Sequence, residues 1–300
     1  MGTDYTTFQP LQFDCGTTTG QFRARPVSFV RPRKSTDPLV ERARSIWSAG
    51  DYDRIAAGFR HEARTFVRRQ NLHRGISVLD AACGSGNLTI PAARTGARVT
   101  GFDIVPALLG ATADWATREG LVIRLDQGTV EELPYPDAQF DVALSMFGIM
   151  FAPRPDRVVR ELTRVVRPGG RIALANWTPD GFVGTMLKAH TARVPAPPGL
   201  ASPLAWGDEA TIRERLDSRD WDVRVRRRTL TFRYPHMSAG TADLFRSSYG
   251  PTVRTFAALD EQQRADFAAE LTDLWARHQK PGALTTEVDS DYLEVVAFRK

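Results

Sequence analysis

Residues 78–86 of this 300-residue chain, Val-Leu-Asp-Ala-Ala-Cys-Gly-Ser-Gly, constrain its fold more than any other stretch. A short apolar strand (Ile76, Val78, Leu79) runs into an acid, a tight glycine turn, and a helix-like run from Asn87 to Arg94. Strand, glycine loop and helix start together make a nucleotide-binding corner, because glycine lets the backbone approach a ligand and a helix start offers unpaired N–H groups. The acid at Asp80 narrows the ligand. It would repel a pyrophosphate and welcome an ammonium group. The dinucleotide pattern G-x-G-x-x-G is incomplete here, since Gly84-Ser85-Gly86-Asn87-Leu88-Thr89 lacks the third glycine. A second strand ends at Asp103, nineteen residues past Gly84, where a carboxylate can accept both hydroxyls of a ribose.

From residue 76 onward the pattern alternates strand and helix, which predicts a doubly wound, mostly parallel sheet with helices on both faces. Strands are expected at 76–82, 98–103, 121–126, 140–146 and 171–177. A helix carrying Val158, Val159, Leu162, Val165 and Val166 stops at Arg167-Pro168-Gly169-Gly170. Beyond Trp177 come a loop with Pro195, Pro197, Pro198 and Pro203, a helix near 208–217, a strand at 222–234, and helices. The most periodic of these has Phe267, Leu271, Leu274 and Trp275 after an Asp260 cap. A final strand is expected at 291–298, making seven. Before the sheet, Asp37-Pro38 starts a helix with Leu39, Ala43, Ile46 and Trp47 on one side, and a second helix is expected over 51–69 with Tyr52, Ile55, Phe59 and Phe66.

Residues 1–36 stand apart as an N-terminal arm or flexible leader, rich in threonine and proline yet carrying Phe8, Phe13, Phe22 and Phe29. The rest, 37–300, reads as one domain. As an arm, the leader would pack on its own domain or on a second copy of the chain, and it is expected to govern substrate handling or assembly.

The chain is 42% hydrophobic, enough for a normal core, and no apolar run approaches the ~20 residues that cross a bilayer. Two cysteines, Cys15 and Cys83, build no disulfide framework, which fits a cytoplasmic location. The net charge of +5 invites a nucleic-acid reading. However, only four of the 40 basic residues are lysine, a bias of genome composition. The densest cluster, Val223-Arg224-Val225-Arg226-Arg227-Arg228, alternates as a half-buried strand with a solvated outer face and lacks interleaved aromatics. No nucleic-acid partner is expected.

Five blocks in order resemble the motifs of class I S-adenosylmethionine-dependent methyltransferases. They are Asp80–Gly86, Val99–Asp103, Gly128–Asp137, Phe140–Ser145 and Arg167–Arg171. The resemblance is dense over roughly residues 50–180 and looser beyond, and is nearest to the ubiquinone/menaquinone-type and actinobacterial secondary-metabolite enzymes. It implies a Rossmann-like seven-stranded fold with extra terminal helices, S-adenosyl-L-methionine as cofactor, a small-molecule acceptor and no metal. It also implies the cofactor-binding set: Tyr52, Asp80, Ala81, Cys83, Gly84, Gly86, Asn87, Asp103, Ile104, Thr129, Val130, Ser145 and Met146. Within it, Ala81–Gly86 underlie the methionine and ribose, Asp103 grips the ribose, Thr129 and Val130 flank the adenine, and Ser145-Met146 border the methionine end. Thr129 departs from the family, which usually has an aspartate there; a threonine hydroxyl accepts a weaker bond than a carboxylate.

Transfer of a methyl group already activated by a sulfonium needs alignment and exclusion of water more than acid–base machinery. A base is needed only where the acceptor must lose a proton, and the candidates are His61, His190, His236 and Tyr249, with His190 foremost because it follows the exit of the fifth strand. No catalytic residue is assigned. Met146, Phe147, Ile149, Met150 and Phe151 form an apolar cluster at the carboxyl edge of the sheet and suggest an acceptor with substantial apolar surface. The alternatives left open are an RNA-modifying methyltransferase, a non-catalytic cofactor-binding protein, and a nicotinamide oxidoreductase, the last disfavoured by Asp80.

Overall fold

A computed structural model of the chain describes residues 28–30, 36–197, 199–216 and 219–300. One eight-stranded sheet organises them, built from β1 (Ser28–Val30), β2 (Ser77–Ala81), β3 (Arg98–Asp103), β4 (Arg124–Gln127), β5 (Phe140–Met146), β6 (Val166–Trp177), β7 (Trp221–Tyr234) and β8 (Thr286–Arg299). Their order is β1-β4-β3-β2-β5-β6-β8-β7. The first six run parallel, and β8 is antiparallel to both β6 and β7. Seven of the eight are the expected strands. The eighth, β1, belongs to the segment expected to lie outside the sheet and extends it beyond β4; the remaining leader positions, including Phe8, Phe13 and Phe22, lie outside the described residues.

The central strands bury both faces, as parallel strands covered by helices on two sides must. Val78, Leu79, Val142, Ala143 and Leu144 are all fully enclosed. Helices α1 (Pro38–Trp47), α2 (Tyr52–Ala56), α3 (Arg60–Arg69), α4 (Thr89–Ala93), α5 (Pro106–Arg118) and α6 (Pro155–Val165) accompany the first half of the sheet. Asp37 caps α1, its carboxylate accepting from the Leu39 N–H at 3.0 Å. The single helix expected over 51–69 breaks into α2, a 3₁₀ turn at Ala57–Phe59, and α3. The break lies at Gly58, against which the Tyr234 ring packs so closely that a Cβ would sit 2.3 Å from it. Likewise, of the helix-like run 87–94 only Thr89–Ala93 is helical; the residues before it are turns that carry the glycine loop.

The second half adds α7 (Phe182–Arg193), α8 (Glu209–Arg215), α9 (Ser238–Ser248), α10 (Gly250–Ala258) and α11 (Glu261–His278). Asp260 and Gln263 form a reciprocal capping box at the start of α11, whose Phe267, Leu271, Leu274 and Trp275 are buried as their spacing predicts. Trp275 lies in an aromatic cluster with Phe182, Phe232, Tyr234 and Phe245. Strand β7 is the sheet's edge. Its arginines are satisfied locally, Arg227 by Asp180 and Asp291 and Arg228 by Glu294, so the charged run blunts an edge strand. Among the described residues no helix is long and apolar enough to cross a membrane.

Candidate active site

At the carboxyl end of β2 the chain turns through three left-handed residues, Ala82 (φ +58°), Gly84 (+54°) and Gly86 (+92°). The two glycines serve different ends. A Cβ on Gly84 would meet nothing nearer than the Tyr52 ring at 3.7 Å, so its bare backbone leaves room above the loop. A Cβ on Gly86 would strike Thr112 at 2.9 Å, so this glycine is required for packing. Asp103, at the end of β3, fixes the loop from below: Oδ2 accepts from the Gly84 N–H at 2.8 Å and Oδ1 from the Val105 N–H at 2.9 Å.

The facing wall is the turn after β5. Phe147 is also left-handed (φ +58°), and Gly148 passes so close to Ala82 that a Cβ would lie 2.6 Å from the Ala82 methyl. Strained non-glycine backbone on both walls, held by tight packing, is typical of functional sites. Beneath the two walls, Ser145 Oγ donates to the Ala81 carbonyl at 2.7 Å and accepts from the Ile149 N–H at 3.2 Å. The roof comes from α1 and α2, where Trp47 meets Tyr52 edge-on at 5.4 Å and Phe151 at 4.7 Å.

These elements line a cleft of about 100 Å³. Ten of the thirteen expected cofactor residues line it: Tyr52, Asp80, Cys83, Gly84, Asn87, Asp103, Ile104, Thr129, Val130 and Met146. Three do not. Ala81 is enclosed within β2, Gly86 faces Thr112, and Ser145 ties β5 to β2, so all three support the walls from behind. Phe147 and Phe151 of the expected apolar cluster line the cleft too, and it has walls that the sequence reading left out, chiefly Val40, Ala43 and Trp47 of α1, Phe59 and Leu108. The apolar spacing of α1 was visible, but only the tertiary structure says that this face covers a cleft. Behind Tyr52 and Phe147 lies a small aromatic hollow of about 20 Å³, walled also by Trp177, Phe232 and Tyr249.

Two carboxylates, Asp80 at 1% exposure and Asp103 at 6%, line the same cleft. Burial pushes Asp80 up to about 7; the Thr89 hydroxyl, donating at 2.6 Å, opposes this and the Asp103 charge reinforces it. Burial raises Asp103 as well, against the backbone N–H groups that it accepts. Desolvation raises the Cys83 thiol and the Tyr52 phenol, with neighbouring carboxylates adding. A cleft that keeps two acids desolvated is matched to a ligand bearing positive charge. Two further buried atoms, Ser85 Oγ and Asn87 Oδ1, have no protein partner and remain to be satisfied. S-adenosylmethionine, with an ammonium, a sulfonium and two ribose hydroxyls, fits this donor and acceptor set. At the adenine end, Thr129 Oγ1 accepts only a weak bond from the Glu131 N–H at 3.3 Å. Asp126, the neighbouring carboxylate, is taken up by the Tyr135 hydroxyl at 2.9 Å and by Arg124 at 2.7 Å.

His190, the foremost candidate base, is outside this cleft. Its Nδ1 lies 2.6 Å from the Met186 carbonyl and its Nε2 2.8 Å from the Thr252 hydroxyl, and burial holds it down to about 4. The carbonyl makes Nδ1 the donor, so Nε2 is the acceptor: this imidazole ties α7 to α10. His61 and His236 are solvent-exposed, and Tyr249 is buried beside Trp47 with its phenol raised by desolvation. None of the three lines the cleft.

The profile of a methyltransferase domain family matches residues 79–174, the span that holds both walls of the cleft. The uncharacterized protein Rv1403c of Mycobacterium tuberculosis is 35% identical over 248 residues, covering 81% of this chain and 90% of that one. The malonyl-[acyl-carrier protein] O-methyltransferase of Pectobacterium atrosepticum is 31% identical over 142 residues, 47% of this chain and 54% of its own length. Among solved structures, the YcgJ protein of Bacillus subtilis shares the fold at TM-score 0.54 and 16% identity, over 80% of this chain and 99% of that one. The chain belongs to the class I S-adenosylmethionine-dependent methyltransferases. It is an enzyme of that class, and S-adenosylmethionine is its cofactor.

Proposed function

We propose that this methyltransferase acts on a small, partly apolar acceptor of secondary metabolism, and that the cleft residues named above hold the cofactor. The bound cofactor supplies a methyl group that its sulfonium has already activated for displacement. The protein's part is then to orient and to exclude water. Asp103, anchored by two backbone N–H groups, presents carboxylate edges suited to the two ribose hydroxyls, while Asp80 is placed to meet an ammonium. Gly84 leaves the room in which a ligand backbone-close to the loop can lie. Trp47, Tyr52, Phe147 and Phe151 close over the opposite side and keep it dry.

The observation that carries the acceptor class is this aromatic rim, continuous with the apolar hollow behind it. Among the described residues lining the cleft, the titratable groups are Asp80, Asp103, Cys83 and Tyr52, and desolvation favours the neutral form of each. Asp80 and Asp103 are taken up by the cofactor in this reading, and desolvation keeps the Cys83 thiol and the Tyr52 phenol protonated, so none of the four is left as a base for the acceptor. The arrangement therefore favours an acceptor atom that arrives nucleophilic by its own acidity, such as a carboxylate, an acidic phenol or an activated carbon. The malonyl-[acyl-carrier protein] O-methyltransferase named above, a relative by sequence, agrees by its name with that preference.

Incubating the enzyme with methyl-labelled cofactor and, separately, small-molecule extracts and total RNA tests the proposal. Label in the organic-soluble small-molecule fraction is expected; label in RNA would overturn it.

A further inference from the structure

Alongside the cleft runs an open groove of about 440 Å³ between α1, α7 and α10. The two share Ala43, Trp47, Phe151, Ala152 and Pro153, so the Trp47–Phe151 pair is the partition between them. The groove is mostly apolar, with Leu39 and Ile46 on α1, Leu187 on α7 and Val194 and Leu200 on the loop beyond. Its charge has one sign. Arg42 and Arg254 line it, and among the described residues lining it there is no carboxylate.

The two arginines belong together. Arg254, on α10, reaches across to α1, where its Nη2 donates to the Ser45 hydroxyl at 2.7 Å and to the Ser45 carbonyl at 3.0 Å. Ser45 lies one helical turn past Arg42, on the same face of α1, so the two arginines line the same stretch of the groove. Ser45 uses Nε and Nη2 of Arg254; a guanidinium has five N–H donors in a planar fork, and the Nη1 pair remains for a ligand. Arg42 is exposed and forms no ion pair among the described residues. His190, the other basic group here, is held neutral by burial and is bonded on both nitrogens.

We infer that this groove seats the methyl acceptor and that the acceptor is an amphipathic anion, its apolar body along α1 and α7 and its oxyanionic end on Arg42 and Arg254. The inference rests on the methyl-transfer assignment, because the groove's functional meaning comes from its shared wall with the cofactor cleft. Apolar surface supplies most of the affinity and the guanidinium fork sets the orientation, with the anion remote from the end that passes Trp47 and Phe151. The exposed Arg42 keeps its planar fork for bidentate binding of an oxyanion and Arg254 adds its Nη1 donors, which a neutral or cationic analogue of equal length cannot match.

Calorimetry on the full chain tests this, first titrating S-adenosylhomocysteine, then adding decanoate, decyl phosphate, decanol or decyltrimethylammonium to the saturated enzyme, each below its micelle concentration. One of the two anions is expected to bind, one molecule per chain, roughly tenfold tighter than decanol, with the cation weakest. Which anion binds distinguishes a carboxylate from a phosphate end. Arg42→Ala should weaken the anion by about three- to tenfold, as should about 0.5 M salt, while S-adenosylhomocysteine affinity changes less than twofold. Arg254→Lys, which keeps the charge and loses the fork, should weaken it less than Arg42→Ala combined with Arg254→Ala. Equal binding of decanol and both anions, or an Arg42→Ala variant that binds them unchanged, would overturn the inference. Failure of S-adenosylhomocysteine to bind in the first titration would instead strike the cofactor assignment beneath it.

Discussion

The floor of the cleft and the aromatic cluster around Trp275 are built on opposite physical plans. The floor, the loops after β2, β3 and β5, is strained and charged: left-handed Ala82 and Phe147, the bare Gly84, and the two desolvated acids Asp80 and Asp103. The aromatic cluster where α7, α9, α11 and β7 meet around Trp275 lies outside the cleft and is unstrained, filled with rings in edge-on and tilted contact. The floor sacrifices stability to present polar groups to a ligand, and the aromatic cluster supplies packing that holds the floor in place. Binding and stability should therefore separate on mutation.

The sharpest way to break that separation is Trp275→Ala. Truncating a fully enclosed tryptophan should cost about 3–5 kcal/mol in denaturant unfolding, with S-adenosylhomocysteine affinity of the folded protein nearly unchanged by calorimetry. Parallel loss of binding would mean that the halves are one mechanical unit. The reciprocal variant, Asp103→Ala, removes an acid with two backbone partners in addition to its ligand role. Cofactor affinity should fall by ~1.5–3 kcal/mol, and an unchanged affinity would show that Asp103 is only a clasp for the loop.

The pH response sharpens the comparison further. Asp80 holds its proton up to about 7 in the folded protein, against an ordinary value of 3.8. Between those values the native state binds a proton that the unfolded chain releases, so the free protein should lose stability as pH rises through this window. A cationic ligand favours the ionised acid, so cofactor affinity should do the reverse, rising by up to about tenfold per pH unit below 7 and levelling above 8. Asp80→Asn should flatten both curves; a slope that persists would place the titrating group elsewhere. The smallest effect is expected at Thr129, where Thr129→Asp should hold or improve affinity by up to roughly 1 kcal/mol. A loss beyond tenfold would mean that the pocket is shaped around threonine.

Legibility followed the same division. The floor could be read because local rules govern it. Asp80, Gly84 and Asp103 each carry a chemical requirement that shows in a few consecutive residues, and the strand-turn pattern places them on one edge of the sheet. Ser145 and Gly86 were read as ligand contacts, although one staples two strands and the other packs on Thr112; a motif marks where a site is, without saying which of its members face inward. His190 failed for another reason. Burial keeps it neutral and its partners Met186 and Thr252 occupy both ring nitrogens, and Thr252 lies 62 residues away in the chain.

By itself, the order of strands, glycines and acids determined the doubly wound sheet, the cofactor edge and the placement of the two carboxylates. These rest on backbone periodicity and on interactions within one βαβ unit, which short stretches of chain encode. The tertiary structure alone decided that the second helix breaks at Gly58 under Tyr234, that Trp47 and Phe151 stand between cleft and groove, and that Arg42 and Arg254 line the same groove. Those pairings join segments as far apart as α1 and α10, and no local pattern records them, because their energy comes from surfaces that exist only once the chain has closed on itself.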